Sequence, residues 1–270
     1  MITGATTNNG VMDLINRATS WLCDMDGVLI HDDALIEGAD QFLEKLQSSG
    51  RSFLLITNNS FFTARELSER LLSMGLNVPA DHLWTSALAT AQFIHDQRPG
   101  GSAFVIGELS VHEALYDVGY REQSTAADYV VLGETQNYSY EDITTAVRLL
   151  KGGSHLVATN PEPTGPSLDG DFPGVGAVAA MLEFASGVTP YFVGKPNAVM
   201  LCEGLARLGG HIETSILVGD RMETDILAGV EAGLTTVLVL SGVTRRDQIE
   251  QFPFRPSLVV DSVVELIDRL

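Results

Sequence analysis

The chain has little cysteine and little positive charge. Cys23 and Cys202 are its two cysteines among 270 residues. That is too few for a disulfide framework and agrees with a reducing compartment. Lys and Arg number 16 against 35 Asp and Glu, a formal charge of −19. A field of that sign argues against a nucleic-acid backbone or an anionic membrane surface as the main partner. It leaves a small anion open, because one local cation or metal reverses the field inside a cleft. No stretch approaches the roughly 20 uninterrupted apolar residues of a membrane span. The opening MITGATTNNGVMDLINRATS has neither the basic start nor the apolar run of a signal peptide. The expectation is a cytoplasmic protein with no membrane and no nucleic-acid partner. The six histidines show no metal-ligand spacing and build no Ser-His-Asp arrangement. A glycine-rich nucleotide fingerprint is missing too, since Gly170–Gly176 does not open a helix after a strand.

What is present is an alternating α/β grammar. The length corresponds to roughly two domains at about 150 residues each, and 45% apolar residues make the chain globular. Trp21–Cys23 reads as a buried strand, Glu37–Ser49 as a helix with Phe42, Leu43 and Leu46 on one face, Ser52–Ile56 as a strand and Thr63–Met74 as a helix. The pattern returns late. Tyr191–Val193, Ser215–Val218, Thr235–Leu240 and Leu258–Val260 read as strands, and Ala198–Leu208, Asp225–Ala232 and Val263–Leu270 as helices. Between them, Ala103–Ile106, Tyr129–Leu132 and His155–Ala158 read as strands, with helices at Ser110–Val118 and Tyr140–Lys151. Asn160–Gly176, rich in Pro and Gly, reads as a long structured loop. The first ten residues read as a loose tail. This order predicts an α/β fold whose parallel sheet is covered by helices on both faces.

Four polar clusters lie just past the carboxyl ends of these strands, the edge where open α/β sheets bind ligands. Asp24 and Asp26 are two apart, so strand periodicity would send both side chains off one face. Close carboxylates push each other's pKa values apart, which suits one nucleophile and one proton carrier. A solvated acidic turn is the ordinary reading of an isolated Asp-x-Asp-Gly; the buried-strand pattern before it weighs against that. Thr57, Asn58 and Asn59 offer a hydroxyl and amides for phosphoryl oxygens. Asn59, Ser60 or Thr63 also suits the N-cap of the next helix. Lys195 follows the run YFVG and could balance anionic charge, although a lone strand-end lysine is usually just solvated. Asp220 ends ILVG, and Asp225 follows it. Carboxylates without nearby His or Cys suit Mg²⁺ rather than zinc, while Asp225 alone could be an acid at a helix N-terminus. His31 is as well explained by the surface as by a substrate.

Taken in order, DMDGVL, TNNS, GKP and GDRMETDI resemble the four motifs of the haloacid dehalogenase superfamily of phosphatases. TSALATAQF, ATNPEP, VGDRMETDILAGVEAGL and VLVLSGV resemble its NagD subfamily, which includes nucleotide monophosphatases and p-nitrophenyl-phosphatase-like enzymes. The resemblance covers about Trp21 to Phe254. It implies a Rossmann-like core at 20–80 and 187–270 and an inserted smaller α/β cap of the C2 type at 81–186; residues 1–19, which the resemblance does not cover, are expected to form a tail or an extra helix. It also implies a Mg²⁺-dependent phosphomonoesterase working through an aspartyl-phosphate. Asp24 resembles the nucleophile, Asp26 the general acid and Lys195 the charge-balancing lysine. Thr57 and Asn58, with Asn59 beside them, resemble the phosphoryl-binding loop. Asp24, Asp26 (through its carbonyl), Asp220 and Asp225 resemble the metal-site residues. Asn160 and Glu162, and Tyr138, are the candidate substrate contacts of the cap.

A nucleoside 5′-monophosphate is the expected substrate. Sugar phosphates, phosphoglycolate, pyridoxal phosphate and p-nitrophenyl phosphate are alternatives, and a homo-oligomer is left open. Rivals of other classes are a phosphorylation-dependent signalling receiver, a catalytically weak regulatory protein on the same fold, and a phosphotransferase sharing the first half-reaction.

Overall fold

The computed structural model describes residues 8–31, 33–165 and 170–270. The start of the expected tail (1–7) and part of the expected loop (166–169) lie outside them. The described part of the N-terminus is a helix, Asn8–Arg17, and not a loose tail. Val11 and Ile15, one turn apart, are buried and anchor it.

The chain divides into two compact units. The first comprises 1–57, 68–84 and 196–270; the second comprises 58–67 and 85–195. The division does not follow the boundaries expected at 80/81 and 186/187. Residues 58–67 and 187–195, expected in the core, group with the second unit.

The first unit is built on a six-stranded sheet ordered Leu258–Val260, Thr235–Val239, Ser215–Gly219, Ser20–Asp24, Ser52–Thr57, Leu83–Thr85. The pairings from Leu258–Val260 across to Ser52–Thr57 are all parallel. Ser20–Asp24 and Ser215–Gly219 are buried at every residue. That is why they read as apolar runs instead of alternating ones. From Ser20–Asp24 the chain steps outward to Ser52–Thr57, then returns to Ser215–Gly219 on the other side. The strand order therefore reverses between Ser20–Asp24 and Ser215–Gly219. Such a reversal opens a crevice at the carboxyl ends of the two strands. Helix Ala39–Ser48 buries Phe42, Leu43 and Leu46, as its spacing predicts.

The second unit holds a five-stranded parallel sheet ordered Tyr191–Phe192, His155–Ala158, Tyr129–Leu132, Ser102–Ile106, Arg121–Glu122. Its core gathers Val130, Leu132, Leu150, Leu156, Ala179 and Leu182. Tyr191–Phe192 pairs with His155–Ala158, with Tyr191 opposite Val157. The strand leading to Lys195 therefore belongs to this sheet. Two helices escaped the sequence reading, Ser86–Gln97 and Val175–Ser186. The second is apolar nearly all round, so no helical period shows in it. The expected loop contains an antiparallel pair, Thr164–Gly165 with Phe172–Pro173. Among the described residues no helix is long and apolar enough to cross a membrane.

Candidate active site

Three carboxylates of the first unit converge at the reversal of strand order. Asp24 closes its strand, Asp220 follows the neighbouring one, and Asp225 lies five residues later. One ligand oxygen from each lies within 4.8 Å of the others. All three side chains are buried, at 7%, 2% and 0% exposure. Three carboxylates in so small a buried volume suit a divalent cation, which would offset their mutual repulsion. The all-oxygen set fits a hard ion such as Mg²⁺.

The surrounding chain is shaped around Asp220. Its Oδ2 accepts the Val243 N–H at 2.7 Å. Gly27, in the left-handed region at φ +78°, has no room for a side chain, because an added Cβ would stand 2.4 Å from Asp220 Oδ2. Gly219 is constrained in the same way by Asp225, 2.2 Å from its Cβ. Asp225 sits in a wide turn, Met222–Ile226, closed by the Ile226 N–H on the Arg221 carbonyl. That turn points it back at the strand end. Its Oδ2 accepts the N–H groups of Asp220 and Arg221 at 3.3 and 3.1 Å. Asp225 thus braces the loop that carries Asp220. The wide turn runs straight into the α-helix Leu227–Ala232, so Asp225 also stands among the acids at the start of this helical segment.

Asp26 differs from Asp24. The strand stops at Asp24, and a tight turn returns the N–H groups of Leu29 and Ile30 to the Met25 carbonyl. Strand periodicity does not reach Asp26, which is exposed while Asp24 is buried. Thr57 ends the adjacent strand, one residue past Ile56, which pairs with Asp24; its side chain is buried. Cys23 is no competing nucleophile: burial, and then the Asp24 charge, push its thiol far up. His31 is exposed.

The second unit carries the remaining candidates. Lys195 is one of three lysines in the chain and is 3% exposed. Asn58 grips its main chain twice, accepting the Lys195 N–H at 2.8 Å and donating to its carbonyl at 2.8 Å. The second N–H of the Asn58 amide goes to Glu162 Oε1 at 2.7 Å. Glu162 Oε2 accepts from Asn160 at 2.7 Å, and Asn160 accepts from the Thr159 hydroxyl at 2.6 Å. Asn58, Asn160 and Glu162, expected as substrate contacts, are thus tied to one another.

Asn59 is occupied as well, accepting the N–H groups of Phe61 and Phe62 at 3.1 and 3.0 Å. The N-cap of the helix Ala64–Ser73 is Thr63, in a reciprocal pair with Glu66. Tyr138 packs against the core of the second unit, and burial raises its phenol.

Sequence reasoning missed Glu134 and Gly242. Glu134 Oε2 accepts the Ser60 N–H at 2.6 Å. Burial raises its carboxyl, the Ser60 bond opposes this, and the Glu162 charge adds to it. Gly242 walls Asp220 from the side opposite in sequence to Gly27. Its only signal was its place after a late apolar strand, in VLVLSGV.

Residues 21–121 match the family described as haloacid dehalogenase-like hydrolase, and residues 192–266 the one described as HAD-hydrolase-like. A dihydroxyacetone phosphatase of Corynebacterium glutamicum (strain R) is 47% identical over 249 residues, covering 92% of this chain and 90% of the relative. The chain belongs to the haloacid dehalogenase-like hydrolases. Within them the hydrolase is NagD-like. The ribonucleotide monophosphatase NagD of Escherichia coli (strain K12) is 39% identical over 245 residues, 91% of this chain and 96% of that protein. The solved structure of NagD from E. coli K-12 superposes with a TM-score of 0.87 at 38% identity, covering 92% and 98% of the two chains. A 4-nitrophenylphosphatase structure from Thermotoga maritima gives 0.89 at 31% identity, covering 94% and 98%.

Proposed function

We propose that this phosphoric monoester hydrolase is Mg²⁺-dependent, works through a phosphorylated Asp24 and acts on a small phosphorylated metabolite. The observation that carries this reading is the buried Asp24–Asp220–Asp225 cluster at the reversal of strand order. Asp24 attacks phosphorus, and the P–O bond to the alcohol breaks. Asp26 gives its proton to the departing alkoxide, then takes one from the water that hydrolyses the phosphoaspartate. Exposure of Asp26 beside a buried Asp24 suits that division of labour, since a proton carrier must meet water and leaving group. Asp24, Asp220 and the Asp26 carbonyl would hold the metal, with Asp225 supporting them. Bound there, Mg²⁺ supplies the positive charge that lets a carboxylate approach an anionic ester. Thr57 takes the phosphoryl-binding role through its hydroxyl and Asn58 through its main-chain N–H, its side-chain amide being held by Lys195 and Glu162, and Lys195 takes the charge-balancing role. The second unit is proposed as the cap.

For substrate we place a three-carbon phosphate such as dihydroxyacetone phosphate first, on the strength of the 47% identical relative. A nucleoside 5′-monophosphate, expected from sequence wording, is the second reading, supported by the similarity to the ribonucleotide monophosphatase. Phosphate release with Mg²⁺ across triose phosphates, nucleoside monophosphates, sugar phosphates, phosphoglycolate and pyridoxal phosphate tests both. A kcat/KM at least tenfold above the rest identifies the class. Equal slow turnover of everything overturns a dedicated substrate, and no release at all overturns the hydrolase reading.

A further inference from the structure

We propose that Glu162 is a positioning residue for Lys195, acting through the Asn58 amide; the proposal rests on the charge-balancing role assigned to that lysine. The Asn58 side chain has two N–H groups and one carbonyl, and the structure commits all three kinds of contact. The carbonyl takes the Lys195 N–H, one N–H goes to the Lys195 carbonyl, and the other goes to Glu162 Oε1. Only one orientation of the amide satisfies them. Turned over, it would set its NH₂ against the Lys195 N–H and its oxygen against the Glu162 carboxylate. The carboxylate therefore locks Asn58 in the one orientation that also serves the Lys195 main chain, and Asn58 in turn holds both main-chain polar groups of Lys195 in place.

Glu162 is itself held at both ends. Its second oxygen accepts from Asn160, a side chain 2% exposed. Its main-chain carbonyl accepts the Gly176 N–H at 2.9 Å. The approach is close enough that a Cβ on Gly174 would lie 2.5 Å from that carbonyl oxygen. At the other end, the Gly194 N–H binds the Thr159 carbonyl at 2.8 Å. A Cβ on Gly194 would stand 2.3 Å from that oxygen and 2.7 Å from Asn58 Oδ1. The segment 194–195 thus has a fixed place between Thr159 and Asn58.

The chemistry of the position demands an acid. A carboxylate accepts from two amides at once; glutamine would turn its own NH₂ toward one of them. A lysine that acts by charge on a transferring group is sensitive to displacement, and a misplacement of about 1 Å can cost on the order of 10²-fold in rate.

The test is a double-mutant cycle of Glu162→Gln with Lys195→Met, assayed with p-nitrophenyl phosphate and one nucleoside monophosphate, beside thermal melts. Glu162→Gln alone should lower kcat about 10- to 100-fold with both substrates and leave KM within about twofold. In the Lys195→Met background it should change kcat by less than about threefold, since the residue it acts through is gone. Asn58→Leu should reproduce the kcat loss.

Three results overturn the proposal. Loss of melting temperature with kcat intact makes Glu162 structural only. A KM change, or a change in preference between the two substrates, makes it a substrate contact. Full additivity in the cycle separates it from Lys195. If Lys195→Met itself keeps wild-type kcat, the role assigned to the lysine fails instead, and that result is read independently of the Glu162 variants.

Discussion

An added Cβ on Gly242 would stand 2.1 Å from Oδ2 of Asp220, the oxygen that accepts the Val243 N–H. Even alanine at 242 must therefore displace the carboxylate or the loop. Gly242→Ala should cost about 1–3 kcal/mol by overpacking. It should also lower activity more than tenfold and raise the Mg²⁺ concentration needed for half-maximal rate. Activity titrated against Mg²⁺, beside urea unfolding, checks this; a wild-type Mg²⁺ curve would contradict it.

Asp24→Asn removes the proposed nucleophile and one carboxylate from the buried cluster. It should lower kcat by about 10³-fold or more. The far-UV circular dichroism should not change, since relief of like-charge crowding offsets the lost carboxylate contacts. Acid-quenched wild-type enzyme should carry labelled phosphate on Asp24 that the variant lacks. A labelled variant would remove Asp24 from that role.

Chelation should abolish activity, and Mg²⁺ should restore it. The three carboxylates repel one another without a cation, so the melting temperature should also rise with added Mg²⁺. At about 100 times its Kd the ion would stabilise the fold by about 2.7 kcal/mol. Activity indifferent to chelator would refute the metal requirement.

Glu134 carries a pH signature. Burial first, and the neighbouring Glu162 charge, raise its carboxyl above the ordinary range, against the Ser60 N–H. The native state thus holds this proton more tightly than the unfolded chain. The contribution is fully present below the unfolded value of about 4.3 and is lost as pH rises through the higher native value. Glu134→Gln keeps an oxygen for the Ser60 N–H but cannot ionise. Its urea midpoint should fall less between about pH 4.3 and neutrality than the wild type's. Parallel curves would show that Glu134 does not set this slope.

Much of the chemistry was legible because strands buried on both faces stand out as apolar runs, and acids directly after them are conspicuous. Asp24 after Trp21–Cys23 and Asp220 after Ser215–Val218 were found in this way. Tyr129–Leu132, His155–Ala158, Leu258–Val260 and Tyr140–Lys151 have the bounds their patterns predicted. Val175–Ser186 was hidden by its uniform apolarity, and Leu83–Thr85 by its shortness. The role of Asn160 and Glu162 was not legible. Asn58, the partner of Glu162, is about a hundred residues away, and side-chain amides carry no periodic signal.

By itself, the sequence determined which chemical groups this hydrolase has and that they cluster at strand ends, because local hydropathy and turn residues are covalent properties of short segments. Only the tertiary structure decided how those groups are used. Strand order brought Asp24, Asp220 and Asp225 within reach of one ion, and a wide turn aimed Asp225 backward. The pairing of Tyr191–Phe192 with His155–Ala158 placed Lys195 against Asn58. These are contacts between distant segments, set by the packing of whole sheets, and no local pattern encodes them.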